Sequence, residues 1–358
     1  MTAGTRDGPP RGRGATGNPA GRFETRAKEA FADGWSEPDA EPRSLPTVVV
    51  AQTARSIIMR NDSPDVPFTQ SINPYQGCEH GCIYCYARPS HAYLNLSPGI
   101  DFETRIFAKT NAAELLRSEL AARAYRCSPI ALGANTDPYQ PAERAQRITR
   151  GVLEVLSECR HPFTITTKGA LVERDLDLIA PAAALGLARV FVSVPQLDHA
   201  LARRLEPRAA APARRIETIR RLAAAGVPTG VLVAPVIPFL NDHELEAVLA
   251  AARAAGATTA AFIILRLPHE VRGLVDAWLQ EHQPLKRERV LNALRAMRGG
   301  RDNDPRFGSR MTGSGPFAEL IAGRFALAAR RLGFADEAAE LRSDLFRPPP
   351  PGQQLELF

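Results

Sequence analysis

Beyond residue 70 the sequence alternates short apolar runs, rich in β-branched residues, with amphipathic stretches of roughly 12 to 18 residues. The runs are SINPY (71–75), PIALGAN (129–135), FTITTK (163–168), ARVFVSV (188–194), PTGVLVAPV (228–236) and TTAAFIILR (258–266). Helical patterns lie between them at 111–124, 142–158, 174–186, 213–226 and 241–256. Several of these end in Gly, a common stop, and Asn241 or Asp242 is placed to cap the last one. Strand and helix alternating in this way predict parallel strands with right-handed crossovers. Such uniform units fit a full or partial TIM-like barrel over residues 71–268, an α/β fold, better than a sandwich.

The flanks have a different texture. Residues 1–45 lack periodicity and are predicted to be a disordered extension, and 46–70 form a lead-in segment. Residues 269–345 predict a helical extension: two helices (270–283 and 285–298), a Gly/Arg/Asp loop (299–316) and a final helix (317–333). A flexible proline-rich tail follows at 346–358.

In a barrel of this kind the chemistry sits on the loops after the strands, and the unusual residues fall there. Three cysteines follow the first run. Asn135, Thr136 and Asp137 follow the second, Thr167 and Lys168 end the third, Ser193 the fourth and Arg266 the sixth.

The formal charge is +6, and the first 45 residues hold seven basic and seven acidic side chains, so the excess lies on the folded part and favours an anionic partner. With 41 arginines to 4 lysines, a lysine at a strand end is the more distinctive feature. Five cysteines, three of them in one loop, argue against a secreted disulfide framework. No apolar run of 18 residues and no signal-like N-terminus stand out, so the expectation is a cytoplasmic protein without membrane association.

The loop GCEHGCIYCYA (77–87) spaces its thiols as Cys78-x3-Cys82-x2-Cys85, and Gly77 and Gly81 let the backbone turn between them. Three thiolates can converge on a metal centre. With His80 they could form a Cys3His zinc knuckle. A ferredoxin cluster would need a fourth cysteine, and neither Cys127 nor Cys159 has that context. The 3-then-2 spacing with Tyr84 before the last cysteine, placed after the first strand of a βα barrel, resembles the signature of the radical S-adenosylmethionine (SAM) superfamily. That resemblance implies a 4Fe–4S cluster on Cys78, Cys82 and Cys85 with one iron open to SAM, and an electron donor such as flavodoxin or ferredoxin. It covers roughly residues 70–270, and it speaks to the superfamily more than to the reaction.

Further residues are assigned through the same resemblance. GANTDPYQPAE (133–143) departs from the common Gly-Gly-Glu pattern and is similar to the branch containing spore photoproduct lyase. By position, Asn135, Thr136 and Asp137 would meet the methionyl end of SAM, and Lys168 and Ser193 its carboxylate. Glu206 and Arg208, in an E-P-R element, would meet the ribose or substrate. Asn241 is a further polar candidate, and Tyr84 is expected to shield the cluster and stack near adenine. Spore photoproduct lyase uses a cysteine near its second strand as a hydrogen donor. Cys127 and Cys159 lie elsewhere, so the expectation is a different reaction, with Tyr139 as the candidate hydrogen-atom relay.

The ending QLELF resembles the peptide by which repair proteins dock on the bacterial sliding clamp, with Gln354, Leu355, Leu357 and Phe358 as the contacts. The leading expectation is a radical SAM enzyme acting on nucleic acid, such as damaged DNA. The alternatives are a radical SAM enzyme modifying RNA, protein or a metabolite, and a non-enzymatic zinc or iron–sulfur nucleic-acid-binding module.

Overall fold

The computed structural model describes residues 12–24 and 45–349. The six apolar runs form strands, and three further strands lie outside them, ten in all among the described residues: β1 (Val48–Gln52), β2 (Ile58–Arg60), β3 (Gln70–Ile72), β4 (Tyr75–Gln76), β5 (Arg105–Lys109), β6 (Ile130–Leu132), β7 (Phe163–Thr167), β8 (Ala188–Ser193), β9 (Thr229–Val236) and β10 (Thr259–Ile264). Seven pair in the order β10-β9-β8-β7-β6-β3-β2. Neighbours from β3 to β10 run parallel, and β2 is antiparallel to β3. The result is the expected partial barrel of six parallel strands, with one added antiparallel edge. Ile165, Val190, Val192, Val231 and Val233 are buried, as strands covered on both faces require.

Helices Ala112–Ala121, Ile148–Glu158, Leu176–Ala184, Pro212–Ala224 and Leu245–Ala254 cover the outside of the sheet. Their inward faces carry the periodic apolar residues, such as Leu116 and Leu120, Val152 and Leu156, or Val248 and Leu249. Gly226 and Gly256 end two of them with φ of 77° and 102°, the left-handed stop that their positions predicted. Asn241 does not cap the last helix; its side chain turns inward instead. The helical pattern 142–158 is broken at Arg147, whose φ of 54° separates Glu143–Gln146 from Ile148–Glu158.

Two elements depart from the sequence pattern. The first predicted strand splits at Asn73–Pro74, because proline cannot donate to a ladder. β3 stays in the main sheet, while β4 joins β5 and β1 in a separate three-stranded sheet. Residues 12–24, placed by composition in a disordered extension, are instead seated on the barrel: Arg13 and Ala15 are buried. The rest of the 1–45 segment, and the tail with Gln354, Leu355, Leu357 and Phe358, lie outside the described residues.

Helices Val271–His282, Pro284–Ala296 and Pro316–Leu332 form the C-terminal extension. Trp278 anchors it, 1% exposed, with its indole N–H donating to Arg204 O at 3.1 Å. The loop between the last two helices is not idle. Met311 O accepts from Ile264 N of β10 at 2.9 Å, while Gly308 N donates to Asp65, between β2 and β3, at 2.7 Å, and Arg310 pairs with Asp65. The loop therefore bridges the two edge strands of the open barrel. Arg298 is buried beneath it and donates to the carbonyls of Ile264, Leu265, Ser309 and Arg310. No helix among the described residues is long and apolar enough to cross a membrane.

Candidate active site

The cysteine loop starts directly after β4 and ends in a short 3-10 helix, Arg88–Leu94. It is fixed at almost every turn. Cys78 N donates to Phe102 O at 2.9 Å, Glu79 N to Gln140 Oε1 at 2.9 Å and Ile83 N to Leu205 O at 3.0 Å. Arg88, fully buried, donates Nε to Cys82 O at 2.8 Å and Nη2 to Gly81 O at 3.1 Å, and it pairs with the buried Glu103. Glu103 also accepts from Gly14 N at 2.9 Å and Ala15 N at 2.8 Å, which draws residues 13–15 over the outer side of the loop. The approach is tight: a Cβ on Gly14 would stand 1.8 Å from Gly81 O.

Cys78, Cys82 and Cys85 are free thiols, the first two buried and the third half-buried. Burial pushes all three up, Cys82 to about 12, and the nearby Lys168 opposes this at Cys82 and Cys85. Three desolvated thiols, whose thiolate forms would repel one another, form a donor set that fits a cationic iron cluster able to offset that charge. The zinc alternative is less well served. His80, its fourth ligand, is turned instead to Asp137, with Nδ1 3.2 Å from the carboxylate Oδ2.

Lys168 extends from the end of β7, with its ammonium 5.8 Å from the centre of the Tyr84 ring. The ammonium makes no ion pair or hydrogen bond with a described residue. Asn135 is half-buried with its side-chain amide likewise unengaged, while its backbone N–H donates to Asn73 Oδ1 at 2.8 Å. Lys168, Asn135 and the three cysteines are the predicted residues whose polar ends remain available together.

The other predicted cofactor contacts are bonded within the protein. Thr136 donates its hydroxyl to Tyr75 O at 2.9 Å. Asp137 accepts from Tyr139 N at 2.8 Å, Thr167 Oγ1 at 2.7 Å and Lys168 N at 2.7 Å. Burial alone would raise its carboxyl, but His80 and these donors hold it at about 2. Ser193 donates to Ala234 O at 3.1 Å and keeps its lone pairs. Glu206 is buried between the Tyr84 hydroxyl and Arg215, so it orients Tyr84 rather than facing a ribose. Burial would push Glu206 up, but the charges of Arg215 and Lys168 hold it below the ordinary carboxylate range. Arg208 pairs with Glu79 at 3.1 Å. Asn241 accepts from Ile237 N at 2.6 Å and donates to Pro195 O and Pro235 O, both at 3.0 Å, which leaves it no free polar atom for a cofactor.

Tyr139 is a correction. Its ring is buried, and its hydroxyl donates to Asp175 at 3.1 Å, within an ion-pair network with Arg150 and Arg174. It is a structural group of the outer layer and is not presented to the cysteine loop. The Arg88–Glu103 pair, Arg215 and residues 13–15 escaped sequence reasoning, since periodicity does not tell which charged groups turn inward to meet each other.

The profile of the radical SAM superfamily matches residues 72–252, just over half of the chain. The chain belongs to the radical SAM superfamily. The cofactors of this family are a 4Fe–4S cluster and SAM. A Mycobacterium tuberculosis protein, uncharacterised by its description, is 42% identical over 221 residues, 61% of this chain and 65% of that protein. The chain thus spans slightly less than two thirds of that relative. An uncharacterised Methanocaldococcus jannaschii protein is 27% identical over 173 residues, 48% of this chain and 62% of that protein. Among solved structures, spore photoproduct lyase complexed with dinucleoside spore photoproduct superposes with a TM-score of 0.57 at 16% identity, covering 80% of each chain. A mutant of the same lyase, with bound AdoMet and dinucleoside spore photoproduct, gives 0.57 at 14% identity with the same coverage. At these identities the likeness is one of fold.

Proposed function

We propose that this protein cleaves SAM reductively at a cluster held by Cys78, Cys82 and Cys85, and that the substrate is nucleic acid. The reading rests on one observation: three free, desolvated thiols on the first barrel loop stand beside an ammonium at the end of β7 that has no partner among the described residues. A cluster held by Cys78, Cys82 and Cys85 would supply the single electron for reductive cleavage of the C–S bond of SAM, and with it the means to abstract a hydrogen atom from substrate. The electron comes from a donor protein of the flavodoxin or ferredoxin class.

The chain's own residues bind, orient and exclude water. Lys168 supplies the cation for the SAM carboxylate, and Asp137 fixes the backbone from which it projects. Asn135 offers an amide to the amino-acid end. Tyr84, held by Glu206, forms the wall beside Cys82 and keeps the loop dry. Arg88 and Glu103 hold the loop from behind.

A nucleic-acid substrate is supported by the net charge of +6 and by the fold shared with spore photoproduct lyase, whose complex holds a dinucleoside photoproduct. Neither remaining cysteine reproduces a thiol at the loop: Cys127 lies 3.7 Å from His161, ahead of β7, and Cys159 ends an outer helix. The reaction therefore differs from one that needs such a thiol. Docking of Gln354, Leu355, Leu357 and Phe358 on a sliding clamp belongs to the same reading.

The test is anaerobic reconstitution with iron and sulfide, reduction, and assay of 5′-deoxyadenosine. Formation well above a Cys78→Ala/Cys82→Ala/Cys85→Ala control supports the reading. A protein that takes up zinc and leaves SAM intact sinks it.

A further inference from the structure

Arg266 stands two residues beyond β10, at the end of the barrel where the cysteine loop lies. It is half-buried, yet its Nε is shut from solvent without a hydrogen-bond partner. Its Nη1 meets only Met311 Sδ, at 3.7 Å, a weak acceptor. No carboxylate among the described residues pairs with it.

The neighbouring arginines are different. Arg298 is saturated by four carbonyl oxygens, and Arg310 is paired with Asp65 and bonded to Ser63. Asp65 also accepts from Gly308 N, so its oxygens are committed to the bridging loop. The acidic groups that reach Arg266 through space are Asp65 and the phenol of Tyr86, next to Cys85, while Arg310 adds positive charge. Tyr86 in turn donates its hydroxyl to Ala134 O. Arg266 is thus a guanidinium in a positive, partly desolvated setting, near the cysteine loop and lacking an anion. A group in this state is unfavourable unless a ligand completes it. Its planar fork matches two oxygens of one phosphate.

We propose that Arg266 binds a phosphate group of the substrate, a backbone phosphodiester beside the nucleotide that reacts. This rests on the nucleic-acid reading above and names the residue that would fix the strand near the cysteine loop.

The experiment uses the full chain with its cluster reconstituted. Binding of a fluorescent single-stranded oligonucleotide is measured against salt for the native protein, Arg266→Gln, Arg266→Lys and Arg117→Gln, an exposed control on an outer helix. The expected result is a loss of about 10-fold or more in affinity for Arg266→Gln, with a salt slope smaller by about 0.7, an intermediate Arg266→Lys and an unaltered control. Equal affinity and slope in Arg266→Gln overturn the proposal. So does loss of SAM affinity in that variant without oligonucleotide, which would assign the guanidinium to the cofactor's carboxylate. If the native protein binds no oligonucleotide, the nucleic-acid reading fails on its own. Modification of Arg266 by phenylglyoxal, followed by peptide mass, then decides the phosphate site. Protection by inorganic pyrophosphate upholds it, and modification indifferent to pyrophosphate overturns it.

Discussion

Asp137 accepts the backbone N–H of Lys168 at 2.7 Å, so the carboxylate of one barrel loop sets the direction of the ammonium on the next. The two residues were expected to hold SAM side by side. Asp137 is instead committed to donors of the protein, and in the proposed reading it positions the strand end from which Lys168 reaches.

That relationship separates two variants. Lys168→Met should weaken SAM binding by roughly 10- to 100-fold, the range for losing a charge-assisted hydrogen bond, while iron content stays at the native level. Asp137→Asn should weaken it by only about 5- to 10-fold, with a loss of about 1–3 kcal/mol in folding stability as buried donors lose their acceptor. Calorimetric titration of SAM alongside urea unfolding distinguishes them. Full SAM affinity in Lys168→Met would remove the lysine from the site.

Glu206→Gln should destabilise the fold by about 3–5 kcal/mol, because Arg215 would keep a buried charge without its partner. Arg215 is 1% exposed, so water cannot replace the carboxylate. Arg215→Met in the same chain should recover part of the loss. Thermal unfolding of the single and double variants checks this; a double variant less stable than Glu206→Gln would contradict it.

The strap over the cysteine loop makes a steric prediction. Gly14→Ala places a methyl group against the Gly81 carbonyl, which cannot yield, and should cost about 2–4 kcal/mol as the two N–H bonds to Glu103 are lost. Gly17 has open space around it, so Gly17→Ala should be close to neutral. Urea midpoints of the pair test the contact, and equal values would show that the strap contributes nothing.

Two buried histidines fix the acid response. Burial lowers His91 and His161 to about 4 from 6.5, and both are neutral in the native protein. A lowered value means that the unfolded chain binds the proton first. Their stabilisation is therefore intact above pH 6.5 and is lost as pH falls from there toward 4. At pH 5 the expected loss is about 2 kcal/mol for each histidine. In His161→Phe roughly half of the decline between pH 7.5 and 5 should vanish, as read from urea midpoints. An unchanged decline would place its origin elsewhere.

The sequence revealed what depends on residue type and short spacing. The three cysteines, the six parallel strands and Lys168 all carry their signal locally. Orientation did not show. Asp137, Glu206 and Asn241 each follow a strand at the cysteine-loop end of the barrel, but their carboxylate or amide groups turn to backbone N–H groups or to a buried arginine. Tyr139 was misread for the same reason, since adjacency to the second strand does not tell which side of the sheet a ring takes. The Gly14–Glu103 contact joins residues 89 positions apart, and no periodicity encodes it. The kink at Arg147 has no glycine or proline to announce it.

The bridge from Arg310 to Asp65 joins residues 245 positions apart. As the chain is made, the cysteine loop and all six parallel strands precede the segment that spans their two free edges. The flank of the barrel thus stays open through most of synthesis and shuts only after residue 311 has docked against β10. The two edge strands are thus joined last, by a segment that follows both of them in the chain.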